Sequence, residues 1–172
     1  MDARGIVKDA ARDPVARAAF GAAMVIGALH ESEHVVQIVQ RYVLGVPNGS
    51  GVLGSLADIE PVHFAYNVSY LVGLIWVATP IRPFVRADGV SALALQFALM
   101  LQVWHVFEHY LKLAQYVALG FTNGTGGFFG AGPGGLVPLV AVPVLHFAYN
   151  TAVFVPLLVV FARYARSHGR AT

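Results

Sequence analysis

Cysteine is absent from this chain of 172 residues, which excludes disulfides, thiolate metal sites, iron–sulfur clusters and cysteine nucleophiles. Methionine occurs only three times, too rarely for a thioether copper site. Charged residues account for 12% of the chain, and the arginines are dispersed over its ends and its inter-helix segments. No single basic face results, so nucleic acid is not an expected partner. Any metal must be held by histidine and carboxylate side chains.

Apolar residues dominate what is present, at 57% of the chain with a mean hydropathy of +0.65. Four apolar stretches, at about 14–45, 58–80, 90–120 and 137–163, each exceed the roughly 20 residues that a helix needs to cross a bilayer. We therefore predict an all-α, integral membrane four-helix bundle, with residues 1–172 forming a single transmembrane domain. Residues 1–17 interleave basic and acidic side chains and predict a retained lead-in helix.

The positions of lysine and arginine predict the orientation of the spans, because these residues flank the cytoplasmic ends of membrane helices. Both termini and the link between spans two and three are basic, whereas the glycine-rich loops 46–51 and 121–135 contain neither lysine nor arginine. Both termini are therefore expected in the cytoplasm and both loops outside. The expected location is a bacterial cytoplasmic membrane, with the lipid bilayer and other membrane subunits as candidate partners.

An internal repeat contains six of the seven histidines. At a separation of 75 residues the matching pairs are His30 and His105, Glu33 and Glu108, and His34 and His109. At a separation of 83, the segment HFAYN at 63–67 recurs unchanged at 146–150. We interpret this as two tandem two-helix repeats, at about 14–80 and 90–163. Because each repeat has two spans, the two copies should have the same orientation in the membrane.

The repeated residues form a predicted metal site, since residues three and four apart share one face of a helix. An ionisable side chain costs at least about 2.5 kcal/mol at the centre of a span, so inward-facing ones need a shared partner. A divalent cation is the simplest partner, and two matching sets predict two metal ions, because one shared ion would leave several histidines over. The predicted ligands are His30, Glu33, His34, His63, His105, Glu108, His109 and His146, with the glutamates terminal or bridging.

The predicted metal is iron or copper, because two near-equivalent histidine sets suit coupled two-electron chemistry. Zinc is the alternative metal. The predicted function is oxidative chemistry on a small or lipophilic substrate by a non-haem di-iron or di-copper centre, with no catalytic residue assigned. The alternatives are metal-ion transport or handling, haem b electron transfer, an accessory role in a larger membrane complex, ion conduction and a purely structural polar network. The spacing H-x-x-E-H also occurs in zinc peptidases, but here it is duplicated inside spans.

The internal repeat also places an asparagine and a tyrosine at the same positions in both copies. Asn67 and Asn150 are each predicted either to orient a ligand histidine or to form an interhelical hydrogen bond. Tyr66 and Tyr149 lie beside them, where tyrosine is more often a packing residue than a redox or proton donor.

Lys112 breaks the symmetry of the repeat, because Gln37 occupies the matching position. It is predicted to pair with a carboxylate or to mark the functional side. Glu60 precedes His63 by three residues but is not included among the ligands, because its repeat position is occupied by Pro143.

Overall fold

The computed structural model describes residues 14–47, 49–54, 59–121, 126–132 and 134–169. These ranges contain, in chain order, α1 (Pro14–Ile38), a π-helical turn (Val39–Val43), α2 (Glu60–Ala87), α3 (Gly89–Leu119), β1 (Gly130–Ala131), β2 (Val140–Ala141) and α4 (Val142–Gly169). The prediction of a mostly helical chain with four long helices is confirmed. The predicted lead-in helix falls largely on residues 1–13, outside the described ranges.

Three of the helices are long and apolar enough to cross a membrane, namely α2, α3 and α4. This finding is consistent with a membrane protein. Helix α1 has 25 residues but is not one of the three, and it carries Arg17, Glu31 and Glu33. A fourth crossing by α1 therefore stays a prediction, as do the sides of the termini and loops.

The boundaries of α2 and α4 differ from the sequence prediction, and α4 ends at Gly169 rather than near 163. Helix α2 continues through Pro80 and Pro83 to Ala87, so that only Asp88 separates it from α3. A proline removes one backbone hydrogen bond, but the buried side chains of this last segment hold it against the core. Helix α4 begins at Val142 rather than near 137, because the preceding residues hydrogen-bond to segment 127–131 and form the short parallel pair β1–β2.

The helices do not pack equally against one another. Helix α3 packs extensively on α2 and α4, and α4 packs extensively on α1, whereas α1 and α2 touch only sparsely. The apolar core lies toward the ends of the helices that carry the chain termini, and it includes Phe20, Leu74, Ile81, Leu157 and Tyr164. The seam between α1 and α2 is consequently the open side of the helix assembly.

The polarity of surface and interior is inverted relative to a water-soluble helical protein. Leu93 and Val117 expose 71% and 75% of their surface, whereas His105, Glu108 and Gln102 are buried. Large exposed aliphatic side chains all around long helices are stable where the surrounding medium is lipid. The arrangement places the polar side chains inside, at the end of the helices opposite the apolar core.

Candidate metal centre

Six histidine rings from all four long helices form one contiguous cluster. The ring centroids of His109 and His146 lie 4.7 Å apart, those of His63 and His109 lie 5.7 Å apart, and those of His34 and His146 lie 5.8 Å apart. The members of the cluster are His30, His34, His63, His105, His109 and His146. The structure thus brings together every histidine that the sequence predicted as a metal ligand.

The first half of the chain comprises α1 and α2, and the second half comprises α3 and α4. In each half, two histidines one helical turn apart bring their Nε2 atoms close together. The Nε2 atoms of His30 and His34 are 3.1 Å apart, and those of His105 and His109 are also 3.1 Å apart. Two imidazole nitrogens bound to one tetrahedral metal at about 2.0–2.1 Å would lie about 3.3 Å apart. Both pairs are therefore close to the spacing that a shared metal ion requires.

A buried triad in the second half is compact enough to hold a metal ion. One ring nitrogen from each of His105, His109 and His146 lies within 4.8 Å of the others. All three side chains are buried, and Nε2 of His146 meets no hydrogen-bond partner among the described residues. A buried nitrogen without a partner loses its hydration and gains nothing in return, unless a metal or another ligand binds it.

Hydrogen bonds to the far ring nitrogen fix the orientation of one histidine in each pair. Nδ1 of His34 donates to Oε1 of Gln37 at 2.8 Å, and Nδ1 of His109 donates to Oε1 of Glu60 at 2.6 Å. An imidazole that donates from Nδ1 keeps a lone pair on Nε2, the atom that faces the neighbouring histidine. This is the tautomer that a metal ligand needs, and a carboxylate partner raises its basicity.

Glu60 is the residue that sequence reasoning missed. Its second carboxylate oxygen is 2.8 Å from Nζ of Lys112, and both side chains are buried. The expectation that Lys112 pairs with a carboxylate is met by this contact. The signal was the spacing of Glu60 three residues before His63, which places it on the histidine face of α2. Glu60 is not among the predicted ligands because Pro143 occupies its position in the second repeat.

Glu33 and Glu108 hold the glycine-rich loops over the cluster. The two oxygens of Glu33 accept backbone N–H bonds from residues 52–53 at 2.9 and 3.0 Å. Oε1 of Glu108 accepts N–H bonds from residues 128–129 at 2.8 and 3.2 Å. Their prediction as metal ligands stays a prediction, because neither carboxylate lies in the triad that is close enough to share an ion.

The loops can approach these carboxylates only because glycine occupies two positions. Gly51 and Gly127 have φ angles of 78° and 86°, in the left-handed region, and an added Cβ on either would overlap the carboxylate of its helix. A glutamine two turns beyond each glutamate adds a second attachment to the loop. Gln40 accepts the N–H of Gly51 at 2.9 Å, and Gln115 donates to the carbonyl of Gly134 at 2.9 Å.

The two predicted asparagines bind backbone rather than histidine rings. Nδ2 of Asn67 donates to the carbonyl of His63 at 2.9 Å, and its side-chain oxygen accepts a hydrogen bond from Gln102 at 3.0 Å. Asn150 repeats the first contact, with the carbonyl of His146 at 2.9 Å. For Asn67 the interhelical hydrogen bond is therefore the interpretation that the contacts favour.

Comparison of the chain with models of protein families, with curated proteins and with solved structures found no match.

Proposed function

We propose that this protein is a membrane-embedded metal-binding protein with a dinuclear histidine centre. One ion is bound by His105, His109 and His146, and the second by the matching set His30, His34 and His63. The observation that carries the proposal is the buried triad of the second half, whose three ring nitrogens face one another with no other described partner on His146. A cation bound among the three rings would satisfy the buried Nε2 of His146, which has no hydrogen-bond partner among the described residues.

The second ion is supported by the contacts that the two halves have in common. Each half has a histidine pair with the same Nε2 spacing, a glutamate that binds loop N–H groups, and an asparagine that binds the carbonyl of the last histidine. We attribute these equivalent contacts to two tandem two-helix repeats in the same orientation. A duplicated ligand set implies a duplicated ion.

The proposed use of the centre is oxidative chemistry on a small, lipophilic molecule. Two redox-active ions held by these histidines would supply two one-electron acceptors for a substrate that loses two electrons and two protons; dioxygen would take up those electrons and protons as hydrogen peroxide. Zinc would not support this cycle. We therefore propose iron or copper.

Metal analysis of the purified protein tests the proposal. The expected result is about two iron or copper ions per chain, with an absorption or paramagnetic signal that changes on reduction. The matched control is His168→Ala, which changes the one histidine outside the repeat and should retain the full metal content.

Two results would contradict the proposal in different ways. Stoichiometric, exchangeable zinc without a redox signal would remove the oxidoreductase and favour metal handling. Protein that stays free of metal after incubation with iron, copper and zinc would remove the metal centre itself.

A further inference from the structure

The open seam between α1 and α2 contains a cavity of about 300 Å³ that reaches the histidine cluster. Its polar lining is concentrated where His30, Glu33 and His63 face it, and the remaining wall includes Leu29 and Val62. Cavities of this size are at the lower end of the range that binds small molecules. Since it lies between two helices on the exposed apolar side, a molecule would reach it from the lipid.

A second cavity of about 350 Å³ continues along the same seam toward the termini. Ile26 and Tyr66 line both cavities, so the two adjoin. Small side chains open the second cavity on both helices, including Ala19 and Ala22 on α1 and Gly73 on α2. Together the cavities form a groove that is polar at one end and apolar over the rest of its length.

The charges at the polar end restrict what fits there. None of the side chains that line either cavity is lysine or arginine, and Glu33 presents a carboxylate. An anionic head group, such as a fatty acid or phosphate, would find no lysine or arginine there and would lie beside the negative charge of Glu33. The carboxylate of Glu33 accepts hydrogen bonds, so a neutral head group with hydroxyl hydrogens is complementary.

The second half has a larger side chain at the position that corresponds to Leu29. Leu29 precedes His30 in the same way that Trp104 precedes His105. The indole of Trp104 donates to the hydroxyl of Tyr149 at 2.7 Å and packs against both phenylalanines of segment 128–129. Among the described residues, an exposed leucine therefore borders the cavity of the first half where the second half has this packed tryptophan.

We propose that the groove between α1 and α2 binds the substrate of the metal centre, an amphipathic lipid-phase molecule with a neutral hydroxylated head and an apolar chain. This inference rests on the proposed function. The head lies against His30 and His63, and the chain extends along α1 and α2 toward Trp76. A long-chain phenol or hydroquinone has this chemistry.

Photolabelling of the full chain in lipid nanodiscs tests the groove. The probe is decylhydroquinone with a diazirine at the end of its alkyl chain, and the labelled residues are mapped by mass spectrometry. We expect labels at residues 19–23 and 69–77, and unlabelled decylhydroquinone should compete for them. Labelling spread evenly over all four helices, or insensitive to competitor, would overturn the groove, as would a crosslink showing that a second copy of the chain fills the seam.

The variant Leu29→Trp places in the groove the side chain that the second half has at position 104. It should reduce labelling at least fivefold. Leu29 is 66% exposed, so the substitution should leave the fold intact. The matched control is Leu93→Trp, at a lipid-facing position of α3 away from both cavities, which should label like the unaltered protein. Metal content measured on the same samples separates the two proposals. Metal-loaded protein without competable labelling overturns the groove alone, and metal-free protein with competable labelling overturns the metal centre alone.

Discussion

The first half of the chain, from α1 to α2, and the second half, from α3 to α4, use the same histidine spacing in two different surroundings. In the second half the histidines are buried, and the indole of Trp104 donates a hydrogen bond to Tyr149 beside them. Glu60, which forms an ion pair with Lys112, also binds His109. In the first half His30 borders a cavity and the uncharged Gln37 supports His34. The comparison teaches that one histidine spacing can occur both in a fully buried surrounding and beside a cavity.

The ion pair is also what joins the two halves at the centre. Glu60 belongs to α2, in the first half, while His109 and Lys112 belong to α3. A carboxylate of one half therefore orients a histidine of the other. Substitutions at this contact should therefore cause the largest loss in the free energy of unfolding.

Glu60→Gln should reduce the free energy of unfolding by about 3–5 kcal/mol, because it leaves the buried ammonium of Lys112 without a counter-charge. The double variant Glu60→Gln with Lys112→Met should recover most of that loss, since no buried charge remains. Unfolding in mixed detergent micelles, followed by circular dichroism, measures both. Additive losses in the double variant would show that the two side chains do not act as a pair.

His146→Ala should weaken binding of one metal ion by more than about 100-fold, since even an outer partner of a ligand is worth about 10–100-fold. His63→Ala should do the same to the other ion and leave the second-half triad occupied. Metal titration followed by equilibrium dialysis gives the stoichiometry of each variant. Loss of both ions from either single variant would replace the comparison of two sites with one shared site.

The glutamates that hold the loops should also differ between the halves. Glu108→Gln should destabilise the protein by about 1–2 kcal/mol, because Glu108 is fully buried and the new amide group would lack an acceptor. Glu33→Gln should cost less, since its loop partners, residues 52–53, are exposed. Hydrogen exchange at 52–53 and 128–129 reports each loop separately. Equal effects at both sites would remove this distinction.

The smallest effect is expected at Asp88, which lies between the two halves and binds Arg163 of α4 at 2.6 and 2.7 Å. The hydrogen bond from that guanidinium, aided by the Ser91 hydroxyl, lowers the pKa of Asp88 from its usual 3.8 to about 2. A carboxyl with a lowered pKa stabilises the fold fully above its unfolded pKa. The melting temperature should therefore fall by a small amount between about pH 4 and pH 2, and Asp88→Asn should remove that component. An unchanged pH profile in the variant would rule out this contribution.

The helical fold was predictable because long apolar runs have few alternatives to helices of membrane length. The ends of the helices were less so. The sequence predicts that a span ends at Pro80, yet α2 includes this proline because the residues that follow are buried against the core. The start of α4 depends on β1–β2 pairing across a loop, which no local pattern indicates.

The histidine cluster was predictable from spacing, since histidine pairs four residues apart on α1 and α3 and one repeated histidine on each of α2 and α4 converge on one interior. The surroundings of the histidines were not. The repeat does not point to Glu60, because its partner Lys112 has no counterpart in the first repeat. The loop contacts of Glu33 and Glu108 depend on left-handed glycine conformations, and the sequence pattern does not reveal which backbone N–H groups these expose.

Anomalous X-ray scattering from crystals of the metal-loaded protein tests the central claim most directly. The account predicts two peaks per chain, one within bonding distance of His105, His109 and His146 and the other near His30, His34 and His63. A single peak shared by both sets, or peaks only outside the histidine cluster, would contradict it.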